Sequence, residues 1–232
     1  MRPLSLSALF AAGLLVLPAC QTTEEVADET ADVATDVAEG TAGVATDVAG
    51  AVADAAGDTW DAVTGLFEDD AETTAAAIVR PTSDPGARAQ GTVRFMDMGD
   101  DLMVTVSLSG LTPGEHGIHI HQNASCAAAD KDGDGQMEPA GASGGHWDPL
   151  STSDHGAPAD DSQNKHKGDL GNLSVGSDGT VETTITVAGF DPAEYPVAGH
   201  AIVVHSGRDD LETDPAGDSG TPQGCGVIEG RM

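Results

Sequence analysis

Six of the chain's eight histidines and one aspartate fall into a pattern that could hold two metal ions side by side. His119 and His121 stand two apart in Gly114-Glu-His-Gly-Ile-His-Ile-His121. His146, His155, His166 and Asp169 follow in a stretch with no regular period, and His205 closes the set in Val203-Val-His205. Imidazole suits copper and zinc, and one imidazolate has two nitrogens with which to bridge them. Side chains alternate across a strand, so His119 and His121 share one face while Ile118 and Ile120 share the other. His205, at the end of another strand, could supply a third donor to the same ion.

The elements that must carry these residues are strands. Apolar and β-branched runs recur at 75–80, 89–97, 102–111, 117–121, 172–175, 181–187, 198–205 and 224–228. Turn clusters such as Ser83-Asp-Pro-Gly86, Met98-Gly-Asp-Asp101 and Gly176-Ser-Asp-Gly179 separate several of them. Eight short strands without an amphipathic helix predict an all-β domain, an antiparallel sandwich or barrel. Residues 122–168 are dense in Gly, Asp, Ser and Pro, and a loop of that length in a compact domain is expected to be functional.

The ends and the charge set the context. Arg2, the apolar run Leu9–Leu17 and the ending Leu17-Pro-Ala-Cys20 read as an export signal over residues 1–19. The ending resembles the lipobox of bacterial lipoproteins, which implies cleavage before Cys20, lipidation of its thiol and a membrane anchor in the cell envelope. Gln21 in the next position fits sorting to the outer membrane. Of three cysteines, Cys126 and Cys225 remain as an even pair for an oxidising compartment. A bridge between them would close a loop of about 100 residues, worth about 4–5 kcal/mol on the chain-entropy model.

The formal charge is −30, and fifteen Asp or Glu with no Lys or Arg lie between Gln21 and Val79. Such a polyanion excludes nucleic acid as a partner and repels anionic substrates at long range. Residues 20–74 read as an acidic tether ahead of a folded domain at 75–232. Its repeat, Val33-Ala-Thr-Asp-Val-Ala38 and Val44-Ala-Thr-Asp-Val-Ala49, places valines on one helical stripe, which Trp60, Val63, Leu66 and Phe67 extend. Four glycines weaken that helix, so a partly helical and a disordered tether are both open, and the apolar end could meet lipid or the domain.

Five motifs in order then resemble one family, the copper,zinc superoxide dismutases, particularly their bacterial periplasmic branch. They are the Gly114–His121 run, Gly144-Gly-His-Trp-Asp-Pro149, His166-Lys-Gly-Asp-Leu-Gly-Asn172, Gly199-His-Ala-Ile-Val-Val-His205 and Gly224-Cys-Gly-Val-Ile228. The resemblance implies an eight-stranded antiparallel Greek-key β-barrel with long metal-binding loops. It implies copper on His119, His121, His146 and His205, and zinc on His146, His155, His166 and Asp169. His146 would be the bridge, Asp209 the acid linking His119 to His155, and Cys126–Cys225 a disulfide. The implied activity converts one superoxide to dioxygen and a second to hydrogen peroxide, with a proton passed through His146. His116 and His200, inside matching motifs, are expected to be structural. Homodimers occur in the family through different faces, which leaves a homodimer open here.

One departure stands out. The family usually carries an arginine three residues before the last cysteine, where it draws superoxide in, and this chain has Pro222 there. Lys131 and Arg208 are the candidates for electrostatic guidance in its place. The alternative function is a copper- and zinc-binding lipoprotein that buffers or delivers metal without efficient turnover. Asp130-Lys-Asp-Gly-Asp-Gly135 opens like a calcium loop, but its twelfth position is Gly141 rather than Glu, so a polar insertion is the better reading.

Overall fold

The computed structural model describes residues 65–66, 72–131, 133–160 and 163–231. The export signal, Cys20 and nearly all of the tether lie outside the described residues. Strands form at all eight expected places: β1 Thr73–Pro81, β2 Gln90–Asp97, β3 Leu102–Ser109, β4 Gly114–His121, β5 Asp169–Val175, β6 Val181–Val187, β7 Ala201–His205 and β8 Pro222–Val227. A two-residue β9, Glu229–Gly230, was not expected and pairs with the start of β1.

Every ladder is antiparallel, in the order β5-β4-β7-β8-β1-β2-β3-β6. Strand β1 belongs to two sheets, pairing through most of its length with β2 and at Arg80 and Pro81 with β8. The two end strands of the path, β5 and β6, are joined by a tight turn at Gly176–Thr180, which nearly closes the barrel. The chain crosses between sheets from β3 to β4 and again from β6 to β7, so β4 neighbours β7 rather than β3. That is the Greek-key order.

Alternation builds the interior. Leu102, Val104, Val106 and Leu108 of β3 point in, opposite Val93 and Phe95 of β2, while Thr105 and Ser107 face outward. Strands β4 and β7 depart from that rule: every residue of β7 and of Gly117–His121 is buried. Ile118, Ile120, Ile202 and Val204 fill the barrel, and the histidines on the opposite face lie under the long loops. Loops therefore act here as a second wall.

Backbone hydrogen bonds fix that wall. Trp147 N–H donates to Ile120 O at 2.8 Å, Ile120 N–H to Gly168 O at 2.9 Å and Gly168 N–H to Trp147 O at 2.9 Å. A Cβ on Gly168 would overlap Ile120 O, so glycine is what lets the loop approach the strand. The Cys126–Cys225 disulfide spans 99 residues and packs with Ala140, Ala201 and Val203 in a small second core between the loop and the sheet. Replacing both cysteines by serine is expected to lower unfolding free energy by about 4 kcal/mol, since the unfolded chain regains a loop of that length. Denaturant titration of the double variant checks this, and an unchanged midpoint would show that the loop is held without the bond.

Candidate metal centre

Four elements bring the site together. His119 and His121 come from β4, His205 from the end of β7, and Asp169 from the start of β5, where it pairs with His119 in the ladder. His146 reaches in through an isolated bridge to His121, and His155 and His166 come from the same loop. The result is three overlapping clusters, within each of which the potential donor atoms lie no more than 4.8 Å apart: His119, His121, His146 and His205; His146, His155, His166 and Asp169; and His119, His155 and Asp209.

Asp209, fully buried, ties the first two clusters together. Its Oδ2 accepts from His119 Nε2 at 2.8 Å, its Oδ1 from His155 Nε2 at 2.8 Å, and Oδ1 also accepts Leu211 N–H at 2.7 Å. Asp169, equally buried, has its Oδ1 2.8 Å from His146 Nδ1, 3.0 Å from His155 Nδ1 and 3.3 Å from His166 Nδ1. The His155 contact is close but poorly aligned, leaving that nitrogen without a hydrogen bond.

Carbonyls and carboxylates accept only, so each fixes a tautomer on its imidazole. His121 Nδ1 donates to Gly144 O at 2.9 Å, with Ser143 Oγ 3.0 Å away, and His205 Nδ1 donates to Gly220 O at 3.0 Å. Their Nε2 atoms, with His119 Nδ1 and His146 Nε2, are buried and unpartnered. Four orphaned nitrogens in one cluster contradict the usual pairing of buried polar atoms unless a cation takes them. That donor set fits a soft-to-borderline ion, and the three nitrogens and carboxylate of the second cluster fit tetrahedral zinc.

Electrostatics sort the two clusters. Burial, reinforced by the neighbouring imidazoles, pushes His119 and His121 well below the ordinary histidine value and His205 down to about 4. His146 is lowered by burial too, with Asp169 opposing. At His155 burial also pulls down, but the adjoining carboxylates of Asp169 and Asp209 win and raise it to about 9. Burial would raise Asp169, yet the close ring nitrogens of His146, His155 and His166 hold it well below the carboxylate range. One cluster is thus a set of neutral donors, and the other is organised around an anion.

A cavity of about 660 Å³ opens over His121, His146 and His205. Lys131 is the only cationic side chain lining it among the described residues, against Glu138, Asp148, Asp214 and Asp218, with Pro222 also in the wall. The charge of Lys131 is close enough to disfavour protonation of His121 and His205. Arg208 does not line the cavity. Gly117 N–H donates to the neighbouring Gly207 O at 2.8 Å, holding this segment beside β4, and Arg208 Nε pairs with Glu115 Oε2 at 2.9 Å on the surface. The carboxylate of Asp130 accepts Gly133 and Gly135 N–H at 2.7 and 3.0 Å, shaping its own turn.

His116 is buried between His205 O and Thr112 O, at 2.8 Å each, and His200 donates to Gln122 O and lies tilted against Trp147 with centroids 4.3 Å apart. Sequence reasoning missed Gly217 and Lys165. Gly217 has φ of 61°, and a Cβ there would collide with Asp209 Oδ1 and sit 2.6 Å from His155 Nε2. Lys165, buried, donates to His166 O and Asp169 O at 3.3 and 3.1 Å, clamping the turn that presents both. Loop composition hid the glycine, and nothing in the order of residues marked the lysine as buried.

Comparison with known proteins agrees with this geometry. Residues 89–228 match the family model described as copper/zinc superoxide dismutase. Proteins named superoxide dismutase [Cu-Zn] are similar: that of Deinococcus radiodurans is 36 % identical over 147 residues, covering 63 % of this chain and 80 % of the relative. The one from Photobacterium leiognathi is 40 % identical over 141 residues, covering 60 % and 78 %. Among solved structures, Cu/Zn superoxide dismutase from Brucella abortus superposes with a TM-score of 0.59 at 35 % identity, over 66 % of this chain and 98 % of that one. With a family match over more than half its length and the two-cluster histidine centre in place, the chain belongs to the copper/zinc superoxide dismutase family.

Proposed function

We propose that this protein dismutes superoxide to dioxygen and hydrogen peroxide at a copper–zinc pair bridged by His146, exported and held at the cell envelope by a lipid on Cys20. The single observation that carries the site is that His146 alone belongs to both four-residue clusters, with Nε2 unpartnered toward one and Nδ1 on Asp169 toward the other. His119, His121, His146 and His205 would hold copper, and His146, His155, His166 and Asp169 would hold zinc. Bound copper would supply a one-electron couple, and bound zinc a fixed charge without redox chemistry.

The chain's own residues do the rest. Gly144 O and Gly220 O hold the His121 and His205 rings with Nε2 free, and Asp209 holds His119 and His155 against rotation. His146 Nε2 is the atom placed to take up a proton and release it, because its ring also borders the cavity that admits substrate. Lys131 supplies the attraction for an anion there, opposed by four carboxylates. The export and anchor reading is supported by the run ending in Leu17-Pro-Ala-Cys20.

The acidic cavity wall and Pro222 favour a second reading, metal buffering without efficient turnover. Full-length protein loaded with both metals separates the two: stoichiometric copper and zinc with no superoxide removal would leave only the second. On the dismutase reading, raising ionic strength speeds the reaction by screening the acidic field. Pro222→Arg is expected to raise kcat/KM about threefold to tenfold at low salt, and no gain would contradict a charge-limited entrance.

Zinc uptake should also carry a proton signature. In the metal-free protein the His155 value is raised to about 9, above the unfolded value near 6.5. The stabilisation gained from that proton is therefore present in full below pH 6.5 and is lost as pH rises through 9. A ligand must lose its proton to bind metal, so zinc uptake at pH 7 releases close to one proton from His155 and tightens until about pH 9. Titration calorimetry in buffers of different ionisation enthalpy measures this, and an uptake with no proton release at pH 7 would refute it.

A further inference from the structure

The outer face of β1 is apolar and only partly covered. Ala75, Ala77 and Val79 point into the barrel, whereas Ala76 and Ile78 lie on the opposite face, where Leu66 packs against Ala76. Beyond Ile78 the face continues into a second cavity of about 380 Å³, lined by Arg80, Pro81, Val227, Glu229 and the Cys126–Cys225 disulfide, and Glu229 makes no hydrogen bond to the buried Nε or Nη2 of Arg80. Nε and Nη2 of Arg80 are buried there without a hydrogen-bond partner. An unpaired guanidinium edge is out of place in a chain of net charge −30, where carboxylates are abundant.

We propose that residues 58–67 of the same chain dock on this face, with Trp60 and Val63 over the cavity and Asp58 or Asp61 paired with Arg80. Leu66 fixes the register, because it already lies on the face beside Ala76. Gly65 and Leu66 are helical. A helix rises about 1.5 Å per residue, which carries Trp60 roughly 9 Å beyond Leu66. Leu66 sits on Ala76, and strand β1 rises about 3.3 Å per residue, so Ile78 lies roughly 7 Å and Arg80 roughly 13 Å beyond Ala76. A helix laid along β1 toward Arg80 would set Trp60 between Ile78 and Arg80 and bring Asp58, about 12 Å from Leu66, to Arg80. Trp60, Val63 and Phe67 recur at helical spacing, giving the segment one apolar stripe, and Asp58 and Asp61 flank its far end.

The occupant is chosen by charge as well as by reach. From Asp58 to Glu72 the chain has six acids and no Lys or Arg, which complements Arg80 and opposes an anionic lipid surface. A second copy of the chain would need Leu66 to leave the face first. Docking would shorten the reach of the tether by laying its last turns along the barrel, on a face remote in function from the metal centre. The proposal does not depend on the dismutase reading.

The test uses the full-length chain. In Trp147→Phe, Trp60 is the one remaining tryptophan. Its emission should be blue-shifted from that of the urea-unfolded protein, with acrylamide quenching several-fold weaker. Ile78→Asp in that background should restore the unfolded-like values, and Arg80→Met should restore part of the quenching. Hydrogen exchange in the otherwise unaltered chain gives a second reading: amides 58–67 should exchange about tenfold more slowly than in Ile78→Asp. Unfolded-like quenching of Trp60 with equal exchange in both chains would overturn the proposal. So would protection that scales with protein concentration, which means a second copy, or protection that arises only on adding phosphatidylcholine vesicles, which means lipid.

Discussion

Two carboxylates, Asp169 and Asp209, are held at 0 % exposure, and the rest of the site follows from that constraint. Taking an ion out of water costs several kcal/mol even after the protein relaxes, so each carboxylate must be surrounded by donors. Asp209 gathers His119, His155 and the Leu211 amide; Asp169 gathers His146, His155, His166 and the Gly156 amide. His155 touches both, which is why it is pushed toward the protonated form. Removing either acid would leave imidazoles buried with no fixed orientation.

That arrangement needs a wall on the outer side of β4 and β7, and the barrel alone does not provide one. The loop from Gln122 to Gly168 is bonded to the end of β4 by two backbone hydrogen bonds, closed on itself by a third between Gly168 and Trp147, and tied to β8 by the disulfide. Glycines let it come close: Gly168 beside Ile120 O, and Gly217 beside Asp209. The barrel supplies rigidity, since the strands bearing His119, His121 and His205 pack Ile118, Ile120, Ile202 and Val204 into the core from their other face. Adjacent positions on one strand thus serve opposite needs, isoleucine or valine inward and histidine outward.

Much of this was legible in the order of residues, and the reason is periodicity. The alternation of β3 and the His-Ile-His-Ile pattern of β4 express a period of two that survives burial, so the strands and the paired histidines could be placed directly. Residues 122–168 have no period, and there only chemistry-bearing types could be read. His146, His155, His166 and Asp169 were visible as types, but their distances depend on backbone contacts with β4 that leave no local signal. Arg208 shows the same limit from the other side: its charge suggested guidance, but its partner Glu115 lies 93 positions away on β4. Lys165 and Gly217 act through backbone and space rather than through reactive groups, and no spacing rule points to them.

The central claim is that one imidazole, His146, joins two ions of different kinds between two buried carboxylates. Crystals of the full chain loaded with copper and zinc, measured on both sides of each metal's absorption edge, test it directly. The account predicts two anomalous peaks, a copper peak against His119 Nδ1 and the Nε2 atoms of His121, His146 and His205, and a zinc peak against Asp169 and the Nδ1 atoms of His146, His155 and His166. A single peak, or two peaks of which only one touches His146, would contradict it.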